Sequence, residues 1–313
     1  ACGKEWGTVL SLSIDYDSPS SLRRFLDERG FGMQKKFGQN FLINRGARER
    51  LVDALGAESG ETVWEVGPGL GAMTALLLER GLSTTAFEID RGFAAALREC
   101  FGGLPNFRLV EGDALKTWPV EARERGLPRY FFGNLPYNIA AVLIASFIES
   151  GSCFDRAVVT VQKEVAKRMA ARAGDADYSS FSVLCASAYA VKPLLTLKPA
   201  SFYPAPNVDS AAVVMERLPA AAPGAASRYF RPLVRALFSS RRKTVRNNLE
   251  TFASAVLGSA APGAKPSASG ELAAAALAAA GIDGGLRAER LSFEQFAALA
   301  AAFETLVGGA RAE

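Results

Sequence analysis

Residues Thr62-Val63-Trp64-Glu65-Val66-Gly67-Pro68-Gly69-Leu70-Gly71-Ala72 read as a short buried strand running straight into a glycine-rich turn. Closely spaced glycines let a chain leave a strand sharply and enter a helix, and they let a ligand come close to the backbone. The turn satisfies the dinucleotide-binding spacing G-x-G-x-x-[GA], and Glu88 lies 21 residues beyond Gly67, where a ribose-binding acid would sit. Taken alone, the same residues would serve a tight strand–helix turn that binds nothing.

Working outward, strand-like runs follow at Thr84–Ile89, Phe107–Val110, Tyr130–Phe132 and Ala157–Val161, with helical stretches between them at Met73–Glu79, Phe93–Cys100 and Ile139–Glu149. Such alternation predicts a doubly wound, Rossmann-like parallel α/β sheet covered by helices on both faces. Helices near Glu164–Ala173 and Ser180–Ala190 and strands at Val191–Leu197 and Ala211–Arg217 complete a first domain over residues 21–218, after a tail at 1–20. Pro219–Ala226 reads as a linker. Residues 227–313 turn rich in Ala, Leu and Arg with helical spacing, and read as a smaller helical domain with a loop at Gly258–Gly270. Its Ala-rich tract Leu272–Ala280 reads as a plain packed helix.

In an open α/β sheet, ligands bind outside the carboxyl ends of the strands. Glu88 ends the second strand and Asp113 follows the third, so both would face the crevice of the glycine turn. One carboxylate there can accept both hydrogens of a ribose diol, and a second can bond an adenine amino group. Either acid alone would equally well cap the following helix.

Composition narrows the chemistry. The 313 residues carry 36 basic and 32 acidic side chains, a net charge of +4, and no histidine. Ser-His-Asp and Cys-His hydrolases, His-ligated zinc and imidazole acid–base catalysis are thereby excluded. The four cysteines (Cys2, Cys100, Cys153, Cys185) form no Cys-x-x-Cys pair, so free thiols in a reducing compartment and no metal site are expected. The longest apolar stretch, Ile139–Ile148, is about half of what a bilayer requires. With no secretory signal visible, a cytoplasmic protein without a membrane partner is expected.

The most informative segment is Gly133-Asn134-Leu135-Pro136-Tyr137, after the fourth strand. The exocyclic amino group of adenine is a poor nucleophile because its lone pair is delocalised into the ring. The Asn134 side-chain carbonyl and the Leu135 backbone carbonyl can accept its two N–H bonds and hold the nitrogen pyramidal, aiming the lone pair at an electrophile. Proline keeps these acceptors fixed. Tyr137 can stack on a base turned out of its loop. The alternative is an ordinary turn with a half-buried tyrosine.

Together with Phe37-Gly38-Gln39-Asn40-Phe41-Leu42, Val161-Gln162-Lys163-Glu164-Val165-Ala166 and Phe202-Tyr203-Pro204-Ala205-Pro206-Asn207-Val208-Asp209-Ser210, these motifs resemble the small-subunit ribosomal RNA adenine dimethyltransferase family over roughly Leu22 to Leu306. The resemblance implies a class I methyltransferase fold and an S-adenosylmethionine-dependent enzyme. Such an enzyme dimethylates N6 of two adjacent adenosines in a hairpin loop near the 3′ end of small-subunit rRNA. It implies cofactor contacts from Asn40, Leu42, Gly67, Gly69, Glu88, Asp113 and Asn134, and catalytic roles for Asn134, Leu135 and Tyr137. Tyr137 and Phe202 would sandwich the base. Its expected setting is a monomer acting on rRNA in a pre-30S-type particle. Ala140, Ala205 and Asn207 depart from the family's pattern around the target-base pocket.

The weak net charge conceals two basic zones. Arg217 to Leu249 holds eight basic residues and no acidic one, and Ser21 to Arg50 holds eight basic against three acidic. Phe238-Ser239-Ser240-Arg241-Arg242-Lys243 also matches a family segment, so Arg241, Arg242, Lys243 and Arg246 are expected on the RNA backbone. A solvated helix face is the bland alternative. The nearest rival function is the related large-subunit rRNA adenine methyltransferase that confers macrolide resistance; the basic segment and the Gly38–Leu42 stretch favour the small-subunit enzyme. An NAD-dependent oxidoreductase would leave Asn-Leu-Pro-Tyr without a role. A non-catalytic ribosome-assembly factor would not need Glu88, Asp113 and Asn134 together.

Overall fold

A computed structural model of the chain describes residues 14–31, 40–219, 224–260 and 266–309. Its elements are α1 (Pro19–Glu28), β1 (Phe41–Leu42), α2 (Arg45–Leu55), β2 (Thr62–Val66), α3 (Ala72–Glu79), β3 (Ser83–Glu88), α4 (Arg91–Phe101), β4 (Phe107–Glu111), α5 (Ala114–Arg125), β5 (Tyr130–Asn134), α6 (Ala140–Ser150), β6 (Arg156–Gln162), α7 (Lys163–Ala170), α8 (Ser180–Ala186), β7 (Tyr189–Leu197), β8 (Phe202–Tyr203), β9 (Ser210–Arg217), α9 (Phe230–Phe238), α10 (Val245–Ala260), α11 (Pro266–Ala279) and α12 (Phe293–Gly309).

Seven strands form one sheet in the order β4-β3-β2-β5-β6-β9-β7. The pairs β3/β4, β2/β3, β2/β5 and β5/β6 are parallel, and β9 returns antiparallel to β6. Successive strands step outward from β2 in one direction and from β5 in the other. The join between β2 and β5 is therefore the topological switch point, where the crevice of such a sheet opens. The apolar runs of β2, β5 and β6 have a direct cause: these central strands are buried on both faces. From β2, Val63 enters a core with Leu51, Leu55, Leu77 and Phe132. Its neighbour Trp64 points to the opposite face, edge-on to Phe87 (5.0 Å) and Phe154 (5.8 Å). A separate two-stranded ribbon pairs Phe41 with Tyr203 and Leu42 with Phe202.

The chain divides into two compact units, 1–166 with 191–217 and 167–190 with 218–313. The second differs from the expected division, because Lys167–Ala190 belongs with the helical part instead of the sheet domain. The tie is non-local: Tyr178 Oη donates to Leu291 O (3.1 Å) and Gly174 N to Glu289 O (2.8 Å). In this unit α9 buries Phe230, Leu233, Val234 and Leu237, spaced as one helical face, against Val245, Leu249, Phe296 and Phe303. Of the expected loop at Gly258–Gly270, Gly258–Ala260 belong to α10 and Pro266–Gly270 to α11, and residues 261–265 lie outside the described residues. The linker's residues 220–223 and the Phe37-Gly38-Gln39 part of the first motif lie outside the described residues.

Candidate active site

At the switch point the turns after β2 and β5 meet. Gly67 (φ +76°) has so little room that a Cβ there would lie 3.2 Å from the Asn134 carbonyl oxygen and 3.3 Å from Pro136 Cδ. Gly69 (φ +59°) is closed off in the same way by the Phe41 ring, 2.9 Å from where a Cβ would be. Both positions demand glycine, for the left-handed backbone and for the close approach. Around these turns lies a cavity of about 340 Å³ within the sheet unit. Asn40, Leu42, Gly67, Gly69, Glu88, Asp113, Asn134, Leu135 and Tyr137 all line it.

Each side chain has a definable orientation. Asn134 Nδ2 donates to the Asn40 carbonyl (2.9 Å), which leaves Oδ1, the acceptor, as the side chain's other polar atom. The turn behind it is pinned by Leu135 N on Thr160 O (3.0 Å) and by Ile139 N and Ala140 N, both on Pro136 O (3.1 Å). Tyr137 Oη and Ser210 Oγ, a fully buried hydroxyl, are 2.6 Å apart, so the ring is anchored at its far end.

The two acids behave differently. Asp113 does cap α5, accepting from Leu115 N (3.0 Å), while also facing the cavity. Glu88 caps nothing; Asp90 caps α4, through Gly92 N and Phe93 N. Glu88, only 6% exposed, instead accepts from Asp90 N (2.8 Å) and Gly69 N (3.2 Å), joining the strand end to the glycine turn. Burial pushes its carboxyl up to about 7 against the pull of those backbone N–H groups. Glu65, in the strand before the turn, is fully buried against the Thr74 hydroxyl (2.7 Å) and pushed up to about 8 by burial.

Phe202 is a correction. Its side chain is 3% exposed, packed in the core with Leu42, Leu51 and Leu197, and it is absent from the cavity wall. In a two-residue strand paired to β1, its side-chain direction follows the register with Leu42, which turns it into the core. Unforeseen from sequence were the apolar walls Met73, Phe87, Ile89 and Phe93. Ile89, 45% exposed beside Glu88, carried the one available signal: a large apolar residue directly after a strand-end acid. Arg241, Arg242, Lys243 and Arg246 belong to the helical unit, where all four are exposed in and just after the turn between α9 and α10.

Residues 30–259 match the family described as ribosomal RNA adenine dimethylase. The chain belongs to that family. A ribosomal RNA small subunit methyltransferase A of Treponema denticola is 47% identical over 284 residues, 90% of this chain and 93% of the relative. One from Treponema pallidum is 44% identical over 94% of this chain and 99% of its own length. Among solved structures, a dimethyladenosine transferase from Plasmodium falciparum superposes with a TM-score of 0.69 at 24% identity, covering 84% of this chain and 96% of the other. That likeness bears on the fold, a class I methyltransferase sheet followed by a helical region. Among the described residues no helix is long and apolar enough to cross a membrane.

Proposed function

We propose that this family member uses S-adenosylmethionine to dimethylate N6 of two adjacent adenosines in a hairpin loop near the 3′ end of small-subunit rRNA. The observation that carries the reading is the meeting of Gly67 with the Asn134 carbonyl: cofactor turn and amine-orienting turn close on one cavity. The names of the curated relatives support the same substrate class.

The residues fit the cofactor. Gly67 and Gly69 offer bare backbone where any Cβ would intrude, and Phe87 and Ile89 supply apolar surface for a purine. Glu88 would accept from the ribose diol and Asp113 from the adenine amino group. Bound there, S-adenosylmethionine supplies an electrophilic methyl group on a sulfonium. The protein's own share is positional. Asn134 Oδ1, its amide locked by Asn40, accepts one N–H of the target amine, and the Leu135 carbonyl accepts the other. Tyr137, anchored by Ser210, offers its ring to the base. The amine nitrogen becomes cationic and strongly acidic on methylation, so its proton leaves to water and no imidazole is required. Arg241, Arg242, Lys243 and Arg246 would track phosphates, adding salt dependence more than sequence preference.

Calorimetry decides the cofactor: S-adenosylhomocysteine should bind tightly and NAD should not. Tight NAD binding with no S-adenosylhomocysteine binding would overturn the reading.

A further inference from the structure

The segment just before α1 is fastened to the site from behind. Tyr16 Oη donates to the Leu70 carbonyl (2.9 Å), inside the glycine turn. Arg48, on the buried face of α2 and only 5% exposed, sends Nη1 to both the Leu42 carbonyl (2.8 Å) and the Tyr16 carbonyl (3.2 Å), while Nη2 pairs with the Asp17 carboxylate. Leu42 and Gly69 are cavity walls, and the Asn40 carbonyl two residues before Leu42 is the one that locks Asn134. Burying a guanidinium carries a desolvation penalty that an aliphatic side chain on this face of α2 would avoid. What only the planar fork supplies is three directed donors that tie α2 to two other segments, residues 16–17 and Leu42, even though its Nε is left without a partner. The Tyr16 phenol is pushed far above its ordinary range by burial, so it stays a donor.

We propose that Tyr16 and Arg48 are positioning residues: they form a brace that sets the spacing between the glycine turn and the Asn40–Leu42 wall, and through it the cofactor affinity. The cofactor part rests on the function proposed above; the brace itself does not. Full-length Tyr16→Phe removes one hydroxyl and leaves the ring packed between the apolar cluster that holds Leu70 and the one that holds Phe101. Arg48→Lys keeps the charge and loses the fork.

Two readouts separate the claims. In hydrogen exchange without any ligand, Tyr16→Phe should speed exchange in peptides covering residues 40–42 and 67–72, leaving β4 as in wild type. In calorimetry, S-adenosylhomocysteine should bind about two- to tenfold more weakly to either variant, a range set by the loss of one buried hydrogen bond. The double variant should lose less than the product of the two, because both act through one strap. Affinity for the rRNA should stay at the wild-type value, which a general loss of structure would not allow. Wild-type exchange over 40–42 and 67–72 in Tyr16→Phe would overturn the brace, even if Arg48→Lys fails to fold. A wild-type chain that binds no S-adenosylhomocysteine would instead sink the proposed function, with the exchange result still deciding the brace.

Discussion

In the proposed reaction, the role of Asn134 would rest on the orientation of its side-chain amide. Its Nδ2 is used by the Asn40 carbonyl, so only Oδ1 remains to meet an amine. Asn134→Ala should lower methyl transfer by about 10²–10³-fold or more, in the range of other preorganised acceptors and donors. Subunit binding measured by filter retention should persist. Glu88 gives a second test. Its carboxyl titrates near pH 7 in the free cavity, held up by burial, and a ribose diol needs the ionised form. Below that pH the group is protonated, so S-adenosylhomocysteine affinity should rise by about tenfold in total from pH 6 to 8 and flatten above. Glu88→Gln should bind weakly with a flat profile across the same range; an unchanged slope would assign the pH dependence to another group.

Elements were legible in proportion to how local their causes are. Strands β2, β5 and β6 could be read within a residue or two because burial on both faces fills them with apolar and aromatic side chains, whereas β4, at the sheet's edge and only half-buried, was legible from its β-branched and aromatic residues. Helix α5 was hidden by Pro119 in its interior and by a charge-rich sequence with few buried positions, Ala114, Trp118 and Glu121. The placement of Lys167–Ala190 depended on Tyr178 reaching Leu291, a partner more than a hundred residues away that no local pattern announces. For Phe202 the motif located the aromatic ring but not its direction, because a two-residue strand has too little alternation to reveal a face. The helical unit offers its own check. Asn248, 4% exposed, donates to the Leu237 carbonyl (2.9 Å) and the Ser240 carbonyl (3.2 Å), closing the end of α9 onto α10. Asn248→Ala should destabilise this unit by about 1–3 kcal/mol, seen as a lower thermal midpoint. S-adenosylhomocysteine affinity should be unchanged.

At the scale of the molecule, the absence of histidine and the weak net charge find a common explanation. Methyl transfer to an amine needs acceptors and geometry more than a proton shuttle, and in the proposed reaction Asn134, Leu135 and Tyr137, which line the cavity, would provide them. Basic charge is concentrated on the helical unit, where Arg241, Arg242, Lys243 and Arg246 are exposed, and the proposed function would use it on the RNA backbone. Replacing Arg242 and Lys243 by Glu should weaken subunit binding and reduce its salt slope by about one per lost phosphate contact, with cofactor affinity unchanged. The central claim is tested most directly by transfer of labelled methyl groups from S-adenosylmethionine to unmethylated ribosomal subunits, with the modified nucleotides mapped. The expected result is two methyl groups on N6 of each of two adjacent adenosines near the 3′ end of small-subunit rRNA, lost in Asn134→Ala; label confined to the large subunit, or none on adenine N6, would contradict it.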